Sequence, residues 1–140
     1  MYNVSNVIYM TYALRPDCDR PLGMEDGTIP DSSITSSSMF VGTRRSDPYI
    51  YYPYEGRLRN SRNLTKAGCW AVASNKQSEY LQVDLGRVTL VTKVAMQGNE
   101  WANTVEYVTS YKMFHSVDGL KWYIYKEDGL IKVRYEFMLL

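Results

Sequence analysis

Histidine is almost missing from this chain: His115 is the single one in 140 residues. That scarcity narrows the acid–base and metal chemistry available. A nucleophilic triad needs its base beside a nucleophile and a carboxylate. His115 has neither a G-x-S-x-G elbow nor metal-ligand partners around it, so it reads as a structural or surface residue and the chain as a non-enzyme. Cysteine is nearly as scarce. Cys18 and Cys69 could form one disulfide, but two positions alone do not decide that. Cys69, next to Trp70, reads as a buried or partnered thiol rather than a nucleophile. No run approaches the ~18–20 apolar residues of a membrane helix. Residues 7–14 are mildly apolar, yet no Lys or Arg precedes them and no clean small-residue cleavage site follows. The chain therefore reads as a mature fragment or a piece of a longer protein. Basic excess is missing too. Lys plus Arg is 16 and Asp plus Glu is 15, a net charge of +1, which argues against a nucleic-acid surface built to neutralise phosphates. No segment of twelve or more residues carries a clear 3.6-residue period.

Aromatic residues, by contrast, are abundant. Thirteen Tyr, three Trp and three Phe favour strands, where rings pack on a half-buried pleated surface. Tyr is also common at binding surfaces. The length suits one domain. Residues 29–40 are serine-rich, but Ile29, Ile34, Met39 and Phe40 give them anchors that a flexible linker would lack. Residues 42–54 read as an aromatic loop or edge stiffened by Pro48 and Pro53. Strand signals dominate beyond residue 79. Leu81, Val83 and Leu85 alternate, as do Val88, Leu90, Thr92, Val94 and Met96, with Gly86-Arg87 as a short turn predicting a hairpin between the two runs. Tyr111, Met113 and Val117 share a face. Asp118-Gly119 predicts a two-residue hairpin turn leading into residues 122–125. Residues 130–140 alternate through Ile131, Val133, Tyr135, Phe137 and Leu139. Short strands with frequent turns predict an all-β sandwich or barrel.

Cys18, Pro21-Leu22-Gly23-Met24-Glu25, Ile29, Ile34 and Ser37-Ser38 begin an ordered series. Gly56-Arg57-Leu58, Trp70 and Tyr80-Leu81-Gln82-Val83-Asp84-Leu85-Gly86 continue it. Gln97-Gly98, the run from Tyr107 to Lys112, Ser116-Val117-Asp118-Gly119 and Trp122 complete it. In order and spacing this series resembles the discoidin (coagulation factor 5/8 type C) family, from Cys18 to about Gly129. The resemblance implies a jelly-roll-like β-sandwich of the galactose-binding type, with eight strands. It implies a domain over residues 18–140, after a weakly structured flank at 1–17. It also implies an extracellular setting within a multidomain protein. Such domains close on a final Cys bonded to the opening one; no Cys follows Cys69, so the module reads as truncated or atypically ended, and residues 130–140 could stand in for the closing strand.

The resemblance places "spike" loops at one end of the sandwich, binding phospholipid, carbohydrate or a protein receptor; the fold itself does not choose among them. Residues 43–52 (TRRSDPYIYY) align with the first spike. Arg44 and Arg45 supply cations and Tyr49, Ile50 and Tyr51 amphipathic area, a combination suited to an anionic lipid surface, a glycan or an acidic protein. The competing reading puts some of these tyrosines in the core. Residues 99–106 (NEWANTVE) align with another spike, where Trp101, flanked by Ala102 and Asn103, marks an interface or folds back on the sandwich end. No cofactor is required. Some relatives hold Ca²⁺ near the opening turn, where Glu25, Asp26 and Asp31 could contribute oxygens. Asn3 and Asn63 head acceptor sequons for N-glycosylation, and Asp84 reads as a residue that pins backbone. The functional expectation is a binding module for adhesion or surface recognition. The alternative is a carbohydrate-binding module attached to a larger glycan-active enzyme.

Overall fold

The computed structural model describes residues 20–44, 47–101 and 104–131. The N-terminal flank, Asn3, Cys18 and the strand expected beyond Ile131 lie outside them. Among the described residues there are ten short strands and two 3-10 turns, Asp31–Ser33 and Pro53–Gly56. The strands are β1 (Ile34–Ser36), β2 (Val41–Arg44), β3 (Asp47–Ile50), β4 (Leu81–Val83), β5 (Asn99–Trp101), β6 (Thr104–Glu106), β7 (Phe114–His115), β8 (Tyr123–Ile124), β9 (Lys126–Glu127) and β10 (Leu130–Ile131). They pair as five antiparallel ladders: β1 with β4, β2 with β3, β5 with β6, β7 with β8 and β9 with β10. The expected predominance of β-structure holds.

The core forms around the β1–β4 ladder. Leu81 is fully buried and Ile34 nearly so, joined by Met24, Ile29, Trp70 and Val72. Leu22, Tyr54, Val83, Leu85, Val94, Met96 and Val108 pack around this cluster. Alternation delivers these residues inward, since successive strand side chains point to opposite faces; along β1, Ile34 is buried and Thr35 exposed. The Trp70 indole N–H donates to the Ser38 carbonyl at 2.9 Å, so the largest core ring also meets its polar requirement.

A buried carboxylate ties the serine pair to this ladder. Glu79 is only 7% exposed, and the hydroxyls of Ser37 and Ser38 donate to it at 2.5 and 2.6 Å. Ser37 Oγ in turn accepts the Tyr80 N–H, and Ser38 Oγ the Ala73 N–H. The serine hydroxyls hold the Glu79 carboxyl below its ordinary value of 4.5. A carboxyl lowered by folding contributes stability above its unfolded pKa and loses it as pH falls through the folded value. Glu79→Gln is therefore expected to be less stable than the parent at pH 7, with the difference shrinking below about pH 4.5, as read by urea midpoints at pH 7 and pH 3.

Two sequence expectations change, and one hairpin appears that was not expected. The run 81–85 does not form a hairpin with 88–96: β4 pairs with β1, Ile34 opposite Val83 and Ser36 opposite Leu81. The expected turn is taken up locally instead. Gly86 sits at φ +68° and its N–H donates to Asp84 Oδ1 at 2.8 Å, so Asp84 does pin backbone, at the cost of hairpin geometry. Val94 and Met96 reach the core while Val88 is 79% exposed. Second, Asp118-Gly119 is not a two-residue hairpin turn. It lies within the longer connection between β7 and β8, whose register is Phe114 with Ile124 and His115 with Tyr123. Asp118 acts through its side chain, accepting the N–H groups of Leu120 and Lys121 and the Ser116 hydroxyl, each at 2.9 Å. Val117, expected to face inward with buried Tyr111, is exposed. The two-residue Asp-Gly hairpin occurs at Asp128-Gly129, which joins β9 to β10 with φ of 51° and 78°. Both central residues then have the positive φ that a type I′ turn requires.

Candidate functional site

The two stretches expected to form spikes are both hairpins. In the first, Val41 pairs with Ile50, Gly42 with Tyr49, Thr43 with Pro48 and Arg44 with Asp47. This register leaves Arg45 and Ser46 between the strands, and both lie outside the described residues. In the second, Asn99 pairs with Glu106, Glu100 with Val105 and Trp101 with Thr104. Ala102 and Asn103 fall between them, also outside the described residues. For Arg44 and Trp101 the backbone alone is described. Residues 42–54 are thus not a loop throughout: Pro48, which has no N–H to donate, sits in a ladder of only two strands, where edge positions tolerate it.

The tyrosines of the first hairpin divide by role. Tyr49 is buried, not presented to a ligand. Its hydroxyl donates to the Lys66 carbonyl and lies 3.2 Å from the Asn63 carbonyl, and the Arg62 guanidinium covers its ring at 4.8 Å. Tyr51 is half-buried, edge-on to Tyr49 and Phe40 at 5.7 and 5.5 Å. Ile50 is half-buried, and Tyr52 stacks on Tyr54, which belongs to the core. Tyr49 and Tyr51 therefore root the hairpin.

A third segment, which the sequence reading treated only as a glycosylation turn, joins this root. Residues 61–66 run beside the hairpin through the Tyr49 contacts. Asn63 Oδ1 accepts from Thr65 N, Lys66 N and Thr65 Oγ1 at 2.9, 2.9 and 3.1 Å, fixing a tight turn. Leu64 is held 76% exposed at its tip, between Arg62 and Lys66. The signal was present as an apolar residue in a polar turn flanked by cations, but its link to the hairpin depends on Tyr49.

Polar and titratable groups gather around Cys69. Glu55 is buried, and its Oε2 accepts the Gly68 N–H at 2.7 Å; burial raises its carboxyl above 4.5. Cys69 follows, and burial first, then the carboxylates of Glu106 and Glu55, push its thiol up to about 12. Burial likewise raises the Tyr51 phenol, with Arg62 opposing and Cys69 and Glu106 adding to the rise. Glu106 ends the second hairpin, where the Asn99 side chain donates to it at 3.4 Å; Tyr51 follows the first. Among the described residues Cys69 is a free thiol. At pH 8 it should label with a maleimide far more slowly in the native chain than in urea, because the thiolate is the reactive species; equal rates would contradict this environment.

The carboxylates considered for an ion each face another group. Asp31 meets Arg57 at 2.5 Å and Glu25 meets Arg59 at 2.9 Å. Asp26 accepts the Thr28 N–H at 2.9 Å. Arg57 also donates to the carbonyls of Met24 and Ile29, locking the opening turn to the 3-10 segment. Among the described residues no group of three or more His, Cys, Asp or Glu gathers for a metal. His115 is exposed and stacks on Tyr123 at 5.9 Å.

Short antiparallel strands around one core define an all-β module. The chain belongs to the F5/8 type C (discoidin) family, whose model matches residues 33–136, beyond Gly129 where the motif series ended. The fold is accordingly the galactose-binding-like β-sandwich. The chain is 43% identical over 116 residues to lactadherin from Rattus norvegicus, covering 83% of this chain and 26% of the relative. It is 39% identical over 111 residues to EGF-like repeat and discoidin I-like domain-containing protein 3 from Homo sapiens, covering 79% and 22%. It is 36% identical over 118 residues to neuropilin-2 from Rattus norvegicus, covering 83% and 12%. The chain thus spans about a quarter or less of these relatives. No helix among the described residues is long and apolar enough to cross a membrane.

Proposed function

We propose that this domain is an extracellular, non-catalytic binding module that docks on an anionic phospholipid surface through its two hairpins and the 61–66 turn. The observation that supports the reading is the tie between the first hairpin and the 61–66 turn: the Tyr49 hydroxyl reaches the carbonyls of Asn63 and Lys66, and Arg62 lies over its ring. A hairpin fastened to a turn that exposes Leu64 can offer both to one surface. In sequence, Arg44 and Arg45 lie at the turn end of the first hairpin and Trp101 at the turn end of the second, and the 61–66 turn adds Lys66. Cations near an anionic leaflet contribute roughly 1 kcal/mol each, and Trp favours the membrane–water interface. Membership of the discoidin family, with lactadherin and neuropilin-2 among its relatives, supports the binding role.

The test is co-sedimentation with vesicles containing phosphatidylserine. The combined change Arg44→Ala, Arg45→Ala and Trp101→Ala should weaken binding by roughly a hundredfold, two cations alone accounting for about 2 kcal/mol, while the Tm stays within about 2 °C. Binding that survives the change would overturn the reading. Binding to a glycan array with none to vesicles would move the ligand to the carbohydrate class.

A further inference from the structure

We infer that Asn63 is an N-glycosylation site whose occupancy switches the binding face off, so that the domain exists in a ligand-competent bare form and an occluded glycosylated form. This rests on the binding-face reading above. Its observations are local to the 61–66 turn. Asn63, Leu64 and Thr65 are all exposed, so the Asn-Leu-Thr sequon stands on the surface where a bulky polar adduct fits without disturbing the core. Oδ1 takes up the three turn hydrogen bonds from Thr65 and Lys66.

The same turn is fastened to the first hairpin. The Tyr49 hydroxyl reaches the carbonyls of Asn63 and Lys66, and Arg62 lies over the Tyr49 ring. Tyr49 is two residues from Asp47, the last paired position before the hairpin turn. At ~3.3 Å per residue, the turn begins within about 7 Å along the strand from Tyr49. A branched sugar rising from Asn63 therefore grows alongside the hairpin, and beside Leu64, in the space a membrane surface would occupy. Hydrophilic sugar there separates Leu64 from the bilayer.

In the transfer step, Asn63 Nδ2 attacks the anomeric carbon of a lipid-pyrophosphate-linked oligosaccharide. The C–N bond forms, the C–O bond to pyrophosphate breaks, the amide gives up one proton to the transferase, and the lipid pyrophosphate leaves. Thr65 completes the sequon.

The experiment directs the full chain, with Ser5→Ala removing the Asn3 sequon, into the secretory pathway of cultured animal cells as parent, Thr65→Ala and Thr65→Ser, and makes the same parent in bacteria, without sugar, as the reference for bare binding. Intact mass reads occupancy and co-sedimentation with phosphatidylserine vesicles reads binding. Thr65→Ala removes the sequon yet leaves two of the three Asn63 hydrogen bonds; Thr65→Ser keeps the sequon. The expected result is a sugar mass on parent and Thr65→Ser that is absent from Thr65→Ala, with the glycosylated forms binding at least tenfold more weakly. A parent chain without sugar at Asn63 overturns the inference. Equal binding by sugar-bearing parent and bare parent from bacteria overturns it and leaves the lipid reading standing. No vesicle binding by any version overturns both.

Discussion

Trp70→Ala is expected to cost about 3–5 kcal/mol, the range for emptying a buried large aromatic site, and to lower the Tm by roughly 10–15 °C. Trp70 touches the cluster of Met24, Ile29, Ile34, Val72 and Leu81, so the void would open beside the β1–β4 ladder. The indole has a second function, since its N–H satisfies the Ser38 carbonyl, and Ser38 itself donates to buried Glu79. Trp70→Phe separates the two. It retains most of the ring volume and loses only the hydrogen bond, so its cost should be about 1–2 kcal/mol. Thermal unfolding of the three proteins checks this; a Phe variant as damaged as the Ala variant would show that the hydrogen bond, and not the packing, dominates.

Gly68→Ala should be nearly as damaging, for a reason in the backbone. Gly68 has φ +75°, and an added Cβ would strike the Arg62 backbone nitrogen, the Ser61 carbonyl carbon at 2.6 Å and Arg62 Cα at 2.8 Å. The left-handed conformation alone costs a residue with a Cβ roughly 1–2 kcal/mol. Backbone atoms have no rotamer by which to yield, and overpacking adds about 1–3 kcal/mol. The 61–66 turn would be pushed away from Tyr49, so the variant should lose vesicle binding as well as roughly 10 °C of Tm. Ala at the open Gly129, whose added Cβ meets nothing within 4 Å but whose φ is also positive, gives the strain without the collision. Equal losses at the two sites would sink the collision argument.

Much of the fold was legible because its signals are local or carried by ordered motifs. Leu81 and Val83 alternate into the core, and Ile29 and Ile34 anchor a serine-rich stretch as expected. Pairing was less legible. The partner of β4 lies far back in the chain, and nothing within residues 81–96 announces it; the short Gly86-Arg87 turn pointed to the nearer candidate. The two Asp-Gly pairs look alike in sequence, yet Asp118 spends its carboxylate on neighbouring N–H groups while Asp128 adopts positive φ. The difference lies in the context: Ser116 donates to Asp118 and lengthens the connection.

The candidate site was legible as segments and not as side chains. Both stretches expected as spikes are hairpins. A row of tyrosines, however, does not reveal which ring is inside. Tyr49 is buried because carbonyls from residues 63 and 66 come to its hydroxyl, a contact between segments that composition cannot encode. The link of residues 61–66 to the first hairpin was missed for the same reason.

The β1–β4 pairing has a consequence for synthesis. Between its two strands lie the first hairpin, the 61–66 turn and Trp70. As the chain leaves the ribosome, Ile34–Ser36 has no ladder to join until Leu81–Val83 has followed, at roughly 5–20 residues per second. For several seconds the apolar residues around Ile34 must remain uncovered, while the first hairpin, whose contacts are close in sequence, is already able to close. The segment that anchors the core is thus the one left waiting for a partner, and the first hairpin can take shape before the core that holds it.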